Sequence, residues 1–104
     1  MSRSIVVRPR ASVDLDEQAE YIAQDNPKAA LRFLNAAEKA FAFLADMPEL
    51  GAACEFRNPA AAGLRMWLIR GFEKHVIFYR STETGIDVIR VLHAARDIEA
   101  FFGN

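Results

Sequence analysis

The apolar residues of this chain change their spacing near Gly63, and that change restricts it to a fold of helices backing a later-formed sheet. Upstream the spacing is helical. Residues Ala11 to Gln24 carry Leu15, Ala19, Ile22 and Ala23 at i, i+4, i+7 and i+8, which is one stripe of a helix. Asp14, Asp16, Glu17 and Glu20 lie mostly off that stripe and read as a solvated acidic face. The earliest of them fall in the first turns, where the helix dipole favours them. Asp25-Asn26-Pro27 ends this helix and starts a second, with Asn26 as N-cap and Pro27 at the first helical position. The second helix sets Ala30, Phe33, Leu34, Ala37, Phe41 and Leu44 on one stripe and stops at Met47-Pro48. So short a connection predicts an antiparallel hairpin of helices over residues 11–25 and 27–46.

Downstream, Pro48 to Gly63 is rich in Pro, Gly, Ala and Asn and reads as an irregular loop. Leu64–Ile69, Lys74–Arg80 and Ile86–Leu92 then supply three runs of strand composition. Gly71 marks the first reversal between them and Ser81-Thr82-Glu83-Thr84-Gly85 the second. Ser4–Arg8 adds a short strand at the start, closed off by Pro9, and Asp97–Phe102 a short terminal helix or turn. The expected fold is α+β: an N-terminal strand, an antiparallel helical hairpin, then a three-stranded antiparallel meander. The first strand joins the same sheet, and the hairpin covers one face. Residues 1–104 read as a single domain.

Composition narrows the functional classes. With 52% apolar and 26% charged residues the chain has ordinary globular usage, and its formal net charge is −1. Nothing global steers it toward nucleic acid or an anionic membrane, so direct DNA binding is not expected and any basic surface must be local. The lone Cys54 permits no intrachain disulfide. The start lacks the charged-then-apolar order of a signal peptide, and no apolar run is long enough to span a bilayer. The expected compartment is a reducing cytoplasm. Neither a cofactor nor a metal is expected: His75 lies inside a strand with no second metal-type ligand at useful spacing. Cys54, with no base near it in sequence, reads as a spectator.

The segment Ile86-Asp87-Val88-Ile89-Arg90-Val91-Leu92-His93-Ala94-Ala95-Arg96-Asp97-Ile98 is the most unusual. Arg90 alternates with Val88 and Leu92, so it shares a strand face with apolar neighbours. A guanidinium there is costly unless a partner or a wet groove receives it. Two readings stay open: an acid such as Asp97 or Glu99 pairs with Arg90 and pins the sheet, or the cation meets a target or partner protein. His93, at a strand end, reads as a structural hydrogen-bonding residue rather than a proton shuttle. Trp67 reads as half-buried on the sheet, and as a binding anchor if exposed. Eight phenylalanines are many for this length. Phe41 and Phe43 cannot share one helix face, and Phe101-Phe102 come at the terminus, so some apolar surface should await a partner or a second copy.

The order of elements is joined by local matches: Arg8-Pro9-Arg10-Ala11, Asp14-Leu15, Tyr21-Ile22-Ala23, Asn26-Pro27, Ala30, Arg32-Phe33, Pro48-Glu49-Leu50-Gly51, Phe78-Tyr79-Arg80 and the terminal segment. Together they resemble the ParE branch of the RelE/ParE superfamily of type II toxin–antitoxin toxins, over nearly the whole chain. The terminal segment is the most specific of these, because no turn or cap rule demands that combination. The resemblance implies a toxin that inhibits DNA gyrase by protein–protein contact. It also implies a cognate ParD-like antitoxin of the ribbon-helix-helix type, whose C-terminal segment folds over the toxin. Candidates to meet target or antitoxin are Arg65, Trp67, Arg90, His93 and Arg96.

The RelE side of the superfamily cleaves mRNA in the ribosome, which is the alternative. Cutting RNA through its 2′-hydroxyl needs a base, a cation for the developing phosphorane charge and an acid. RelE-like enzymes use clustered lysines and arginines, often with a tyrosine near the C-terminus. Here Lys28, Lys39 and Lys74 are the only lysines, and no tyrosine follows Tyr79. Arg65, Arg90 and His93, with Glu73 or Glu55, are the set from which such a site would be built. In a meander Arg65 and Arg90 flank the central strand about 10 Å apart, and converge only if both face the same side.

Overall fold

Pro9, expected to close the first strand, instead opens the first helix. A helix leaves its first N–H groups unpaired, so a residue without an N–H costs nothing at that position, and the proline ring presets φ for the turn. In the computed structural model, which describes residues 3–96 and 98–102, β1 spans Ser4–Val7 and α1 spans Pro9–Asp25. Starting this early leaves no acidic residue in the first turn of α1, and Asp14 falls further along. Helix α2, Pro27–Asp46, begins as expected: the Asn26 side chain accepts a hydrogen bond from the Ala29 N–H at 3.1 Å.

The loop expected over 48–63 holds more structure than its composition suggests. Ala52–Ala53 forms a two-residue strand, β2, and Pro59–Ala61 a single 3₁₀ turn. Then come β3 (Leu64–Ile69), β4 (Phe72–Ser81), β5 (Gly85–His93) and α3 (Ile98–Phe101). The sheet therefore has five strands in the order β1-β5-β4-β3-β2, with β1 parallel to β5 and every other pair antiparallel. Alanine alone would not select a strand; Ala52 and Ala53 are extended because β3 offers them an edge.

The hairpin α1–α2 covers one face. Phe33, Leu44, Ile69, Ile77, Tyr79, Val88 and Val91 are completely enclosed there. Tyr79 is buried with its hydroxyl satisfied, accepting from the Gly51 N–H at 2.8 Å. The other face is also covered, contrary to the expectation for Phe101 and Phe102. Both rings fold back with Phe56 onto Val76, Phe78 and Leu92, and Phe102 sits 4.9 Å from Phe56 and 5.2 Å from Phe78 between centroids. Half-burying Phe101 and Phe102 removes apolar area from water and helps order α3, at whose end they lie. Of the eight phenylalanines, Phe43 is the one left largely exposed.

The junction of β1 with β5 depends on Gly85. A Cβ at that position would lie 1.9 Å from the Ser4 carbonyl oxygen, which is backbone and cannot swing aside. Gly85→Ala should therefore detach β1 and cost about 3 kcal/mol in urea-induced unfolding. A loss below about 0.5 kcal/mol would mean that β1 is not fastened there.

Candidate functional site

Strand β1 has four residues and β5 has nine, so the parallel ladder runs out. Its last bond is from the Arg8 N–H to the Val88 carbonyl at 3.0 Å. Beyond Val88 the edge of β5 is a row of backbone groups with no strand beside it, and such groups must find partners if they are buried. Helix α1 crosses this edge and supplies them from its side chains. Asp14 accepts from the Val91 N–H at 3.0 Å, and the Gln18 amide donates to the Val91 carbonyl at 2.7 Å. Two residues one helical turn apart thus replace one strand residue.

Asp14 also receives Arg90. The pair is bidentate, Nε to Oδ2 at 2.7 Å and Nη2 to Oδ1 at 2.9 Å, with the Asp14 side chain 6% exposed and that of Arg90 12%. The expected solvated role of Asp14 is therefore wrong. Of the two residues offered as acids for Arg90, Asp97 lies outside the described residues, as does the side chain of Glu99. The hydrogen bonds to Asp14 and its charge hold the Arg90 guanidinium above its ordinary range, against the opposing effect of burial. The strand alternation also fails here. A β-bulge sets Val88 opposite Tyr79 but Arg90 opposite Phe78, so Ile89 is extra. Val88 then faces the hairpin core, while Arg90 turns to the other side, its guanidinium carbon 4.8 Å from the Phe101 ring centre.

These contacts form the floor of a groove of about 600 Å³ between α1, the end of the sheet and the C-terminal segment. Arg90, His93 and Arg96 come together in it, as the terminal motif suggested. The sequence reading missed Arg10, Gln18, Tyr21 and His75, which also line it. Positions 10, 14, 17, 18 and 21 repeat at the helical period, so a polar stripe on α1 was the available signal. Arg96 is exposed and its guanidinium lies 5.7 Å over the Phe101 ring, while Arg10 is exposed on the opposite wall.

His75 and His93 are cross-strand partners, their ring centres 5.1 Å apart. His75 packs on Phe33 and its Nδ1 meets the Gln18 side-chain oxygen. His93 Nδ1 accepts the Ala95 N–H at 3.0 Å. Burial, and secondarily His93, hold the His75 imidazole below the ordinary histidine range.

The remaining candidates lie elsewhere. Arg65 is opposite Tyr79 and Trp67 opposite Ile77, so both are on the hairpin side of β3, across β4 from the groove. Arg65 donates to the carbonyls of Glu49 and Gly51 at 3.1 and 2.8 Å, which clasps the loop after α2. Trp67 is half-buried, 5.9 Å from Phe43. Because Tyr79 and Phe78 are neighbours, their register partners Arg65 and Arg90 face opposite sides of the sheet. Glu73 accepts from the Gly71 N–H at 2.8 Å, and Glu55 is an exposed loop residue. Burial raises the Cys54 thiol above its ordinary range. Among the described residues no three of His, Cys, Asp and Glu gather in a metal-binding group.

Comparison with known proteins adds the following. Residues 5–98 match the family described as ParE toxin of type II toxin-antitoxin system, parDE. No match was found among curated proteins. Among solved structures, a chain of the chromosomal ParDE TA system from P. aeruginosa superposes with a TM-score of 0.68 at 20% identity, covering 88% of this chain and 95% of that one. At that identity the likeness is one of fold.

Two outcomes follow from the geometry. Asp14→Ala strips three hydrogen bonds and leaves a guanidinium uncompensated, so unfolding free energy should fall by about 3–5 kcal/mol. A loss under about 1 kcal/mol would mean that water satisfies Arg90 and Val91 equally well. For His75, the neutral form is favoured in the fold and the unfolded chain binds more protons. Its contribution is therefore complete above the ordinary value of about 6.5 and is lost as pH falls toward the lower folded value. Thermal midpoints should drop on acidification through this window, less steeply in His75→Gln; identical slopes would exclude His75 as the source.

Proposed function

This chain belongs to the ParE toxin family of type II toxin–antitoxin systems, and we propose that it inhibits DNA gyrase by protein–protein contact until a cognate antitoxin neutralises it. The observation that carries this reading is the division of labour in the groove. Arg90 is consumed internally by Asp14, whereas Arg96 and Arg10 stand exposed on either side with Phe101 between the strand and the terminus. Cations beside an aromatic ring, on a rigid sheet end, are what a protein surface presents to another. Arg90 then acts by holding the wall in place, and Arg96 is the better candidate for direct contact.

What favours contact over RNA cleavage is the scattering of the groups cleavage needs. Base, cation and acid must converge on one phosphate. Arg65 and Arg90 face opposite sides, Glu73 is occupied in its own turn, and His93 spends its Nδ1 on Ala95. An Nδ1 spent in that way is not free to take a proton from a 2′-hydroxyl.

The antitoxin, in this reading a ParD-like protein of the ribbon-helix-helix type, covers apolar surface of the hairpin and the far sheet edge. Val13, Tyr21 and Leu31 are exposed on the helices, Phe43, Met47 and Leu50 around the end of α2, and Leu68 on β3. Trp67 borders the second group through Phe43. The chain needs no DNA contact of its own, consistent with its net charge of −1, and no described helix is long and apolar enough to cross a membrane. The reading places its action in the cytoplasm.

Purified protein should block supercoiling by gyrase and leave ribosome-bound mRNA intact. Arg96→Ala should weaken inhibition by about tenfold with the fold unchanged, and His93→Ala only through stability and the placement of the Ala94–Arg96 turn, since no proton transfer is asked of it. Cleavage of mRNA that His93→Ala abolishes, in a protein still folded and antitoxin-bound, would replace this reading with the endonuclease one. Calorimetry with the antitoxin should show a clearly negative heat-capacity change; a value near zero would mean that the exposed apolar groups are not what it covers.

A further inference from the structure

The two groove histidines hold opposite tautomers, and their neighbours determine which. The Val91 carbonyl can only accept, so the Gln18 nitrogen faces it and the Gln18 oxygen faces His75. His75 Nδ1 therefore carries the hydrogen. The Ala95 N–H can only donate, so His93 Nδ1 is bare and its hydrogen is on Nε2. Neither Nε2 has a hydrogen bond among the described residues, and neither is sealed from solvent.

A proton added to each ring therefore has a different consequence. On His75 it goes to Nε2, and the bond to Gln18 survives. On His93 it must go to Nδ1, where it would point at the Ala95 N–H. That bond cannot coexist with the charged ring. The turn Ala94–Arg96 has two other anchors, Ala94 N–H to the Lys74 carbonyl at 2.7 Å and Arg96 N–H to the His93 carbonyl at 3.0 Å. Only the middle one ends on a titratable atom.

The charges around the pair come from every element that meets it. Helix α1 brings Arg10, Asp14 and Glu17, β4 brings Lys74, β5 brings Arg90 and the turn brings Arg96. Asp14 is already saturated by Arg90 and Val91. Among the described residues Glu17 is the acid left to favour an imidazolium, against Arg10 and Arg96 and against the second ring. Two charged rings at a cross-strand position also repel each other.

We propose that His93 is an acid-released latch: it holds the Ala94–Arg96 turn against the sheet while neutral and frees it when protonated, moving Arg96 and the groove wall. The proposal stands on hydrogen-bond direction and does not depend on what the groove binds. Burial of His75 beside it favours the neutral form of that ring.

The test is a nitrogen-detected NMR titration of the full chain from about pH 7.5 to 5, spanning the ordinary histidine range. Near neutrality His93 should show the Nε2–H tautomer and His75 the Nδ1–H one. As His93 charges, exchange of the Ala95 amide should accelerate by about fivefold more than that of Ala94, the effect of losing one ordinary hydrogen bond. His93→Asn keeps an acceptor oxygen near Ala95 and does not titrate, so it should abolish that acceleration. If His93→Asn fails to fold, the tautomers and Ala95 exchange of the unmodified chain still decide. An Nδ1–H tautomer at His93 near neutrality, an Ala95 amide indifferent to its titration, or an acceleration that persists in a folded His93→Asn would each overturn the latch.

Discussion

Asp14 is the interaction on which the working end of this molecule depends. One carboxylate accepts from the Val91 backbone and both donors of Arg90, and its next-turn neighbour Gln18 completes the strand edge. A parallel strand of nine residues beside one of four would otherwise leave polar backbone bare against a helix. Polar side chains on α1 solve this, and in doing so fix the distance and angle at which the helix crosses the sheet. A buried pair of this kind is weak evidence for added stability over an apolar one. Its value here is in position: with Arg90 held by Asp14 and stacked on Phe101, the wall of the groove has a defined place.

The same economy of side chains for backbone recurs at the opposite side of the sheet. Arg65 grips two carbonyls of the segment after α2, and Arg80 grips those of Ala60 and Ala62 at 2.6 and 3.2 Å. The apolar residues of this loop are mostly small and bury little beyond Phe56 and Ala61, so charged donors from the sheet also hold its backbone. Arg65 and Arg90 thus spend their donors inside the protein, whereas Arg10 and Arg96 are exposed at the groove.

The groove also shows how the histidines divide their work. Each spends Nδ1 inside the protein, one as donor and one as acceptor, and leaves Nε2 to the solvent side. The two rings are in contact, yet their hydrogen bonds run in opposite directions. Neither property is visible from the residue names.

The sequence by itself determined the elements of this protein. The helical stripes, the Asn26-Pro27 restart and the later strand runs appear where their periods placed them, because those signals are local and depend on which face must avoid water. It also marked the terminal motif, since a guanidinium among β-branched residues is hard to place without a reason. Tertiary structure decided the rest. Ala52-Ala53 became a strand only because β3 had an open edge, and Phe101 and Phe102 were half-buried only because a second apolar face awaited them. Residues 76 positions apart in the chain, Asp14 and Arg90, met because β1 is short, and a one-residue bulge reversed the face on which Arg90 lies. Which acid meets which base is a matter of where the backbone ladder ends, and no periodicity within the chain records that.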